Sequence, residues 1–354
     1  MSRGLQYQPS LDGLRAIAVG AVVLFHTWPA LFPGGWAGVD LFFVLSGYLI
    51  TQILVRELEA TGAISLKRFY IRRALRLMPA LAVLILAFLA FSAVAENDLR
   101  RAGLDALIAA TYLTNWARAF GWGASAIGHT WSLAIEEQFY LVWPLLLIFL
   151  MRLSRPRLIV SLLLLAAIGW RLTLYAGGAS VPRIYNGFDT HADPLLIGCL
   201  LALAPRALAA RFAALALLLL AALVLLMDFK SAFAQTFGFA LVGATGAWLI
   251  AAASADGWLK SALSWAPLVF LGKISYGIYL WHFPIIDIGR GHVPEALLFV
   301  LPLLGLACAV GSYYVVERPF LRLKDRWAAK GSRPAPAPRP AGEPAPQLPG
   351  AASR

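Results

Sequence analysis

The stretch Leu11–His26, LDGLRAIAVGAVVLFH, decides how the chain is read. From Ala16 to Phe25 it is uncharged and almost wholly apolar, yet Asp12 and Arg15 stand near one end and His26 at the other. Such a run is fit to lie in hydrocarbon, where an ionisable group at the helix centre costs on the order of 3 kcal/mol and usually faces a bundle interior or marks a site. Eleven residues separate Arg15 from His26, about three helical turns, so both project from nearly one face roughly 16 Å apart. Asp12 lies close to that face. Spacing alone leaves two readings open: an ion pair and a histidine that serve helix packing, or two ends of a functional site.

The rest of the chain has the same character. Of 354 residues, 60% are hydrophobic and 14% charged, with mean hydropathy +0.73. Soluble domains carry about 25% charged residues, so the chain is an integral membrane protein. Apolar stretches near the length of ~20 residues that spans a bilayer fall near 12–31, 36–55, 77–95, 131–151, 157–175, 190–204, 212–227, 233–254, 267–288 and 293–316, the sixth and seventh short. A further piece, LDALIAATYLTNW at 104–116, is either another crossing or a re-entrant or interfacial helix. The fold expected is all-α, a polytopic bundle of about ten transmembrane helices.

Loop charge orients it. With a cytoplasmic N-terminus and no crossing at 104–116, 21 Lys and Arg fall on the cytoplasmic side and six opposite, with Arg15, Arg171 and Lys273 inside spans. That is the bias of the positive-inside rule, and it puts both termini in the cytoplasm. The formal net charge of +12 is therefore topological, with no continuous basic stripe for nucleic acid. Cys199 and Cys308 lie in apolar runs and suit packing; neither a disulfide framework nor a metal site is expected. The first span is not a removable signal, because Asp12 and Arg15 interrupt its start. Residues 1–327 read as one membrane domain and 328–354, rich in Pro and Ala, as a disordered cytoplasmic tail.

Polar residues recur inside the bundle. FYIRRALRLMP places Arg73 and Arg76 on one helical face, suited to phosphates through forked hydrogen bonds or to plain membrane anchoring. Glu136 and Glu137 open a span and are about 100° apart on a helix, so at most one points squarely into a given pocket. A buried carboxylate there suits orienting a histidine or holding a hydroxyl acceptor. Asp40 and Ser46, Asp189, His191 and Asp193, then Lys273, Ser275, Tyr276 and His282 add polar groups from further spans, which suggests a shared cavity; His282 also suits an interfacial position beside Trp281 and Phe283.

Seven segments in order, LDGLRAIAVGAVVLFH, GVDLFFVLSGYLIT, FYIRRALRLMP, HTWSLAIEEQFYLVWPLL, DTHADPLLIG, LGKISYGIYLWHFPI and VERPF, closely resemble the acyltransferase-3 family of integral membrane acyltransferases over roughly residues 5–322. The resemblance implies transfer of an acyl group, often acetyl, from cytoplasmic acyl-CoA to a hydroxyl of an extracytoplasmic acceptor. It implies His26 as catalytic histidine in an arginine-to-histidine pattern with Arg15, Arg73 and Arg76 at the coenzyme A end, and Trp131, Ser132, Glu136 and Glu137 near the reacting groups. The family often has arginine at the place of His191. Some members continue into an esterase-like domain, absent from this sequence, so transfer is expected to be completed by the bundle or by another protein. His26 acts as general base or as nucleophile, with Glu136, then Glu137, as candidates to orient it or the acceptor. Asp12, Asp40, Ser46, Asp193, Tyr276 and His282 complete the expected substrate-binding set, with acetyl-CoA as donor and no metal.

The acceptor expected is a cell-surface glycan such as O-antigen, exopolysaccharide or peptidoglycan, with a small secondary metabolite or a lipid as alternatives. The membrane expected is a bacterial-type inner membrane. From a different class, a transporter or flippase also uses a polar cavity in such a bundle, but broken-helix pairs or inverted repeats are not evident in the hydropathy.

Overall fold

In hydrocarbon every backbone N–H and C=O has to be bonded within its own segment, so apolar runs of this length fold as helices. A computed structural model describes residues 7–95, 98–122, 126–204 and 212–330, and among them there is no strand. The tail expected from residue 328 lies outside the described residues from 331 onward.

In chain order the helices are α1 (Pro9–Thr27), α2 (Ala37–Thr61), α3 (Leu66–Val94), α4 (Leu99–Ala110), α5 (Thr114–Ala119), α6 (Trp131–Leu150) and α7 (Pro156–Ala176). Then come α8 (Val181–Asn186), α9 (Phe188–His191), α10 (Asp193–Leu203), α11 (Ala213–Leu226) and α12 (Phe239–Ser254). The last are α13 (Trp258–Leu263), α14 (Ala266–Lys273), α15 (Ser275–Gly289), α16 (Val300–Ser312) and α17 (Arg318–Lys330).

Among the described residues seven helical segments are long and apolar enough to cross a membrane: α1, α2, α3, Gly128–Leu150 containing α6, α7, Ala234–Ser254 containing α12, and the run from Glu295 to Lys324. The ninth expected span is instead a broken one, because α14 and α15 are bent by 67° around Ile274. The sixth and seventh positions hold α10 and α11, whose 11 and 14 residues are about 16 and 21 Å long against a ~30 Å hydrocarbon core. The first span also ends earlier than expected, at Thr27, and the third starts earlier, at Leu66, so Arg73 and Arg76 lie well inside α3. The piece at 104–116 is not one helix: α4 ends at Ala110, Tyr112 turns in the left-handed region at φ 55°, and α5 restarts at Thr114. Neither half is long enough to cross.

The core forms around α2. Its most apolar window is 67% buried, against 11% for α7, which lies at the perimeter. Leucine, valine and aromatic side chains of α2, α6, α10 and α15 form the main apolar cluster, including Phe43, Leu54, Trp143, Leu195 and Leu280. Helices α2 and α10 approach each other closely. A Cβ on Gly47 would lie 2.0 Å from the Leu195 carbonyl oxygen, and one on Gly198 would lie 2.2 Å from that of Val44. Only glycine permits backbones so close, the small-residue packing that membrane helices use where lipid offers no hydrophobic drive. A π turn at Tyr313–Glu317 links α16 to α17 and delivers Glu317 to a cavity wall.

Candidate active site

Helix α1 contributes to two separate chambers. Near its start Arg15 Nη1 donates to Asp12 Oδ1 at 2.9 Å, and the Tyr7 hydroxyl donates to Asp12 Oδ2 at 2.7 Å. At its end the orphan carbonyls of His26 and Thr27 both accept from the Arg290 guanidinium, at 2.9 Å for Thr27. A basic side chain on the last carbonyls is the favourable match for a helix C-terminus, and here it fixes the turn that carries His26.

The larger chamber, about 650 Å³, is built at the Arg15 end. Arg15, Arg73, Arg76, Lys273 and Lys324 line it together with Asp12, Glu136 and Glu317. Ser46, Ser132 and Tyr276 line it too, so the expected residues of five segments do converge here. Arg73 lies with its guanidinium carbon 3.6 Å from the centre of the Tyr140 ring and its Nη2 3.9 Å from Glu137 Oε1. Glu137 therefore steadies an arginine and lies outside both chamber walls. Glu136 is gripped by Ser46, whose hydroxyl donates to Oε1 at 2.5 Å.

The smaller chamber, about 130 Å³, is built at the His26 end by Val22, Phe25, His26, Trp36, Arg118, His129, Trp131, Tyr185, Asn186 and Tyr279 among others. His26 Nδ1 donates to the Val22 carbonyl at 3.0 Å. His282 Nδ1 faces two carbonyls, Tyr279 at 2.7 Å and Ile278 at 3.2 Å, so it carries its proton there and its Nε2 is a lone pair. That lone pair meets His26 Nδ1 at 3.2 Å. The His26 proton is thereby held on Nδ1, shared between Val22 and His282, which leaves Nε2 as the basic nitrogen. Glu136, expected to orient His26 or the acceptor, is bonded to Ser46 in the other chamber, and the side chain hydrogen-bonded to the His26 imidazole is His282.

Tyr279 and Val39 line both chambers. The Tyr279 hydroxyl donates to the His129 carbonyl at 2.8 Å and meets Ser132 Oγ at 2.6 Å. Since its proton is committed to the carbonyl, it accepts from Ser132. Tyr276, Tyr279 and His282 follow one another at three-residue steps on α15, so the same face of one helix passes from one chamber to the other.

Asp40 and Asp193, expected among the substrate-binding residues, line neither chamber. Asp40 Oδ1 lies 2.8 Å from His191 Nε2, and Asp193 Oδ1 accepts from Arg171 Nη1 at 2.6 Å; all four side chains are 0% exposed. His191 Nδ1 donates to the Tyr185 carbonyl at 2.6 Å, so one proton must lie between Nε2 and Asp40. The His191 ring stacks on Phe239, centroids 3.8 Å apart, and on Trp131. This buried quartet supports the pocket wall from behind.

At the rim, Arg183 makes a forked pair with Asp189, 2.9 Å and 2.5 Å, and Trp170 Nε1 donates to the same carboxylate at 2.8 Å. Burial alone would raise the Asp189 carboxyl, but the hydrogen bonds from Arg183 and Trp170 outweigh it and hold it below the ordinary carboxylate range.

His129, Arg118, Tyr185, Asn186 and Tyr279 were not among the expected site residues. Tyr279 is legible in hindsight from its place between Tyr276 and His282. His129 stands in the same segment as Trp131 and Ser132 but looks like the mere start of a span. Arg118 and Asn186 come from loop-side helices with no motif of their own, joined by a 3.1 Å hydrogen bond that only folding creates.

Comparison with known proteins places the chain in a family. Residues 8–316 match the acyltransferase domain model, and the chain belongs to that family of acyltransferases. Among similar proteins are the peptidoglycan O-acetyltransferase OatA of Listeria monocytogenes, 39% identical over 80% of this chain and 50% of that protein, and the putative peptidoglycan O-acetyltransferase YrhL of Bacillus subtilis, 36% identical over 89% and 55%. A putative O-acetyltransferase of Staphylococcus aureus is 32% identical over 89% of this chain and 58% of its own length. The chain thus spans about half the length of the curated relatives it matches. No solved structure matches it significantly. Family membership favours the transferase expectation over the transporter one.

Proposed function

We propose that this chain is a membrane O-acetyltransferase that takes an acetyl group from cytoplasmic acetyl-CoA through the larger chamber and passes it to a hydroxyl of a cell-wall glycan in the smaller one. The observation that carries this reading is the pair of chambers sharing Tyr279 and Val39, one lined by five cationic side chains and the other holding a histidine with a basic nitrogen. Arg73, Arg76, Lys273 and Lys324 suit the phosphates of coenzyme A, which guanidinium groups bind through forked, charge-assisted hydrogen bonds. The excess of basic residues on the same side as the larger chamber supports a cytoplasmic donor and cytoplasmic termini. A glycan acceptor is supported by the relatives named as peptidoglycan O-acetyltransferases.

In this reading the acceptor hydroxyl gives its proton to His26 Nε2 while its oxygen attacks the thioester carbonyl carbon. The C–S bond breaks, and the coenzyme A thiolate takes up the proton that the His26 imidazolium releases, leaving as the thiol and restoring the neutral imidazole. His282 and Val22 stabilise the imidazolium formed on the way, since both accept from Nδ1–H. The test is purified protein with labelled acetyl-CoA and a peptidoglycan-derived disaccharide. His26→Ala is expected to lower transfer by roughly 10²- to 10⁴-fold, the usual range for a general base, with membrane insertion intact. Near-normal transfer in that variant would overturn the mechanism.

A further inference from the structure

The smaller chamber holds a second imidazole that the proton transfer does not use. His129 is 3% exposed and lies in the chamber wall. Two bonds lock it: its Nε2 donates to the Leu280 carbonyl at 3.1 Å, and its own backbone carbonyl accepts from Tyr279 at 2.8 Å. Because a carbonyl can only accept, the proton is on Nε2 and Nδ1 is a lone pair. That Nδ1 is buried and has no hydrogen-bond partner among the described residues. Two other polar side chains of the chamber wall are already committed. Asn186 accepts from Arg118 and donates to Pro182, and the Tyr279 hydroxyl is engaged twice.

His26 and His129 flank one aromatic ring, their centroids 4.9 Å and 5.0 Å from that of Phe283. Two residues of the chamber wall thus each carry an imidazole lone pair, Nε2 of His26 and Nδ1 of His129. A single simple hydroxyl occupies one of them. A buried acceptor left unpaired is costly, so a ligand matched to this chamber brings a donor for each.

We propose that His129 Nδ1 accepts a hydrogen bond from a second donor on the acceptor, a hydroxyl or amide N–H beside the hydroxyl that His26 deprotonates. The inference rests on the smaller chamber being the acceptor site. It makes His129 a specificity residue: sugars with a neighbouring donor are accepted, while water and simple alcohols gain nothing from it. A site built to hydrogen-bond a substrate group discriminates strongly against analogues that lack it.

Two variants separate this role from a structural one. In His129→Gln the amide nitrogen lies as many bonds from the backbone as Nε2, so the bond to Leu280 is retained while the Nδ1 acceptor is lost. In His129→Asn the amide oxygen hangs at the place of Nδ1, so the acceptor is retained and the Leu280 bond is lost. With labelled acetyl-CoA and the peptidoglycan-derived disaccharide, His129→Gln is expected to lower the ratio of sugar transfer to acetyl-CoA hydrolysis roughly 10- to 100-fold. His129→Asn is expected to keep most of the transfer. The third arm needs no mutation: a disaccharide with the neighbouring donors replaced by hydrogen is expected to lose the same factor with the wild type, and nothing further with His129→Gln.

Transfer by His129→Gln within about twofold of wild type would overturn the proposal, as would equal loss of transfer and hydrolysis in both variants, the mark of a structural histidine. So would full activity of the wild type on the deoxygenated sugar, with Nδ1 then served by water alone. Wild type that hydrolyses acetyl-CoA but acetylates no sugar would instead overturn the acceptor reading on which the proposal rests.

Discussion

Replacing His282 by phenylalanine tests most directly how the imidazole proposed to be catalytic, His26, is oriented. The side chain is 1% exposed, and an aromatic ring of similar size fills its space, so the change removes chiefly the lone pair that meets His26 Nδ1 at 3.2 Å. In the ground state the loss is small, since Val22 still accepts the same proton at 3.0 Å. In the proposed step the difference appears when His26 takes the hydroxyl proton and becomes an imidazolium. Hydrogen bonds to charged groups contribute about 1.5–3 kcal/mol, and because Val22 remains, the lower part of that range applies, about 1.5–2 kcal/mol. At 1.36 kcal/mol per tenfold this is a fall in kcat of roughly 10- to 30-fold. His282 does not line the larger chamber, so the KM for acetyl-CoA is expected to stay within about twofold. The assay is initial-rate acetyl transfer with each substrate varied, on protein shown by thermal unfolding to be folded. A kcat within twofold of wild type, or a loss expressed wholly as a higher acetyl-CoA KM, would refute the reasoning.

Arg73→Ala and Arg76→Ala are each expected to raise the KM for acetyl-CoA about tenfold through the loss of a charge-assisted phosphate contact; steady-state kinetics with acetyl-CoA varied checks this. Arg171→Leu leaves Asp193 buried without its partner and is expected to destabilise the bundle by about 3–5 kcal/mol, whereas the double replacement Arg171→Leu with Asp193→Leu recovers most of it; thermal unfolding in detergent reads both. Because the Asp189 carboxyl is held low in the folded state, its contribution to stability is fully present above the unfolded value of about 3.9 and is lost as pH falls through the folded value. Asp189→Asn is therefore expected to flatten the acid limb of the stability profile while changing little near pH 7 beyond a uniform offset.

Much of this was legible without coordinates, for physical reasons that can be named. The ionisable residues are conspicuous in apolar sequence because burying them is costly, and so Arg15, His26, Glu136 and His282 stand out at once. Helical periodicity also carries over: Arg15 and His26 do lie at opposite ends of one helix. Orientation within the bundle was not legible. Glu136 and Glu137 are adjacent letters, yet one is gripped by Ser46 at a chamber wall and the other steadies Arg73. Asp40, Asp193 and His191 are as conspicuous as His26 but neutralise one another and Arg171 away from the chambers.

The sequence by itself determined that the chain crosses a membrane many times, which side its basic residues favour, and that costly polar groups must be brought inward, because hydropathy and charge act segment by segment. Only the tertiary structure decided which of those groups share a chamber. Hydrogen bonds such as His282 to His26, Tyr279 to His129 and Ser46 to Glu136 join residues 256, 150 and 90 positions apart. Such contacts depend on where glycine-lined helices meet, how α14 and α15 bend, and which face α2 turns to its neighbours, and none of these is a property of a single helix.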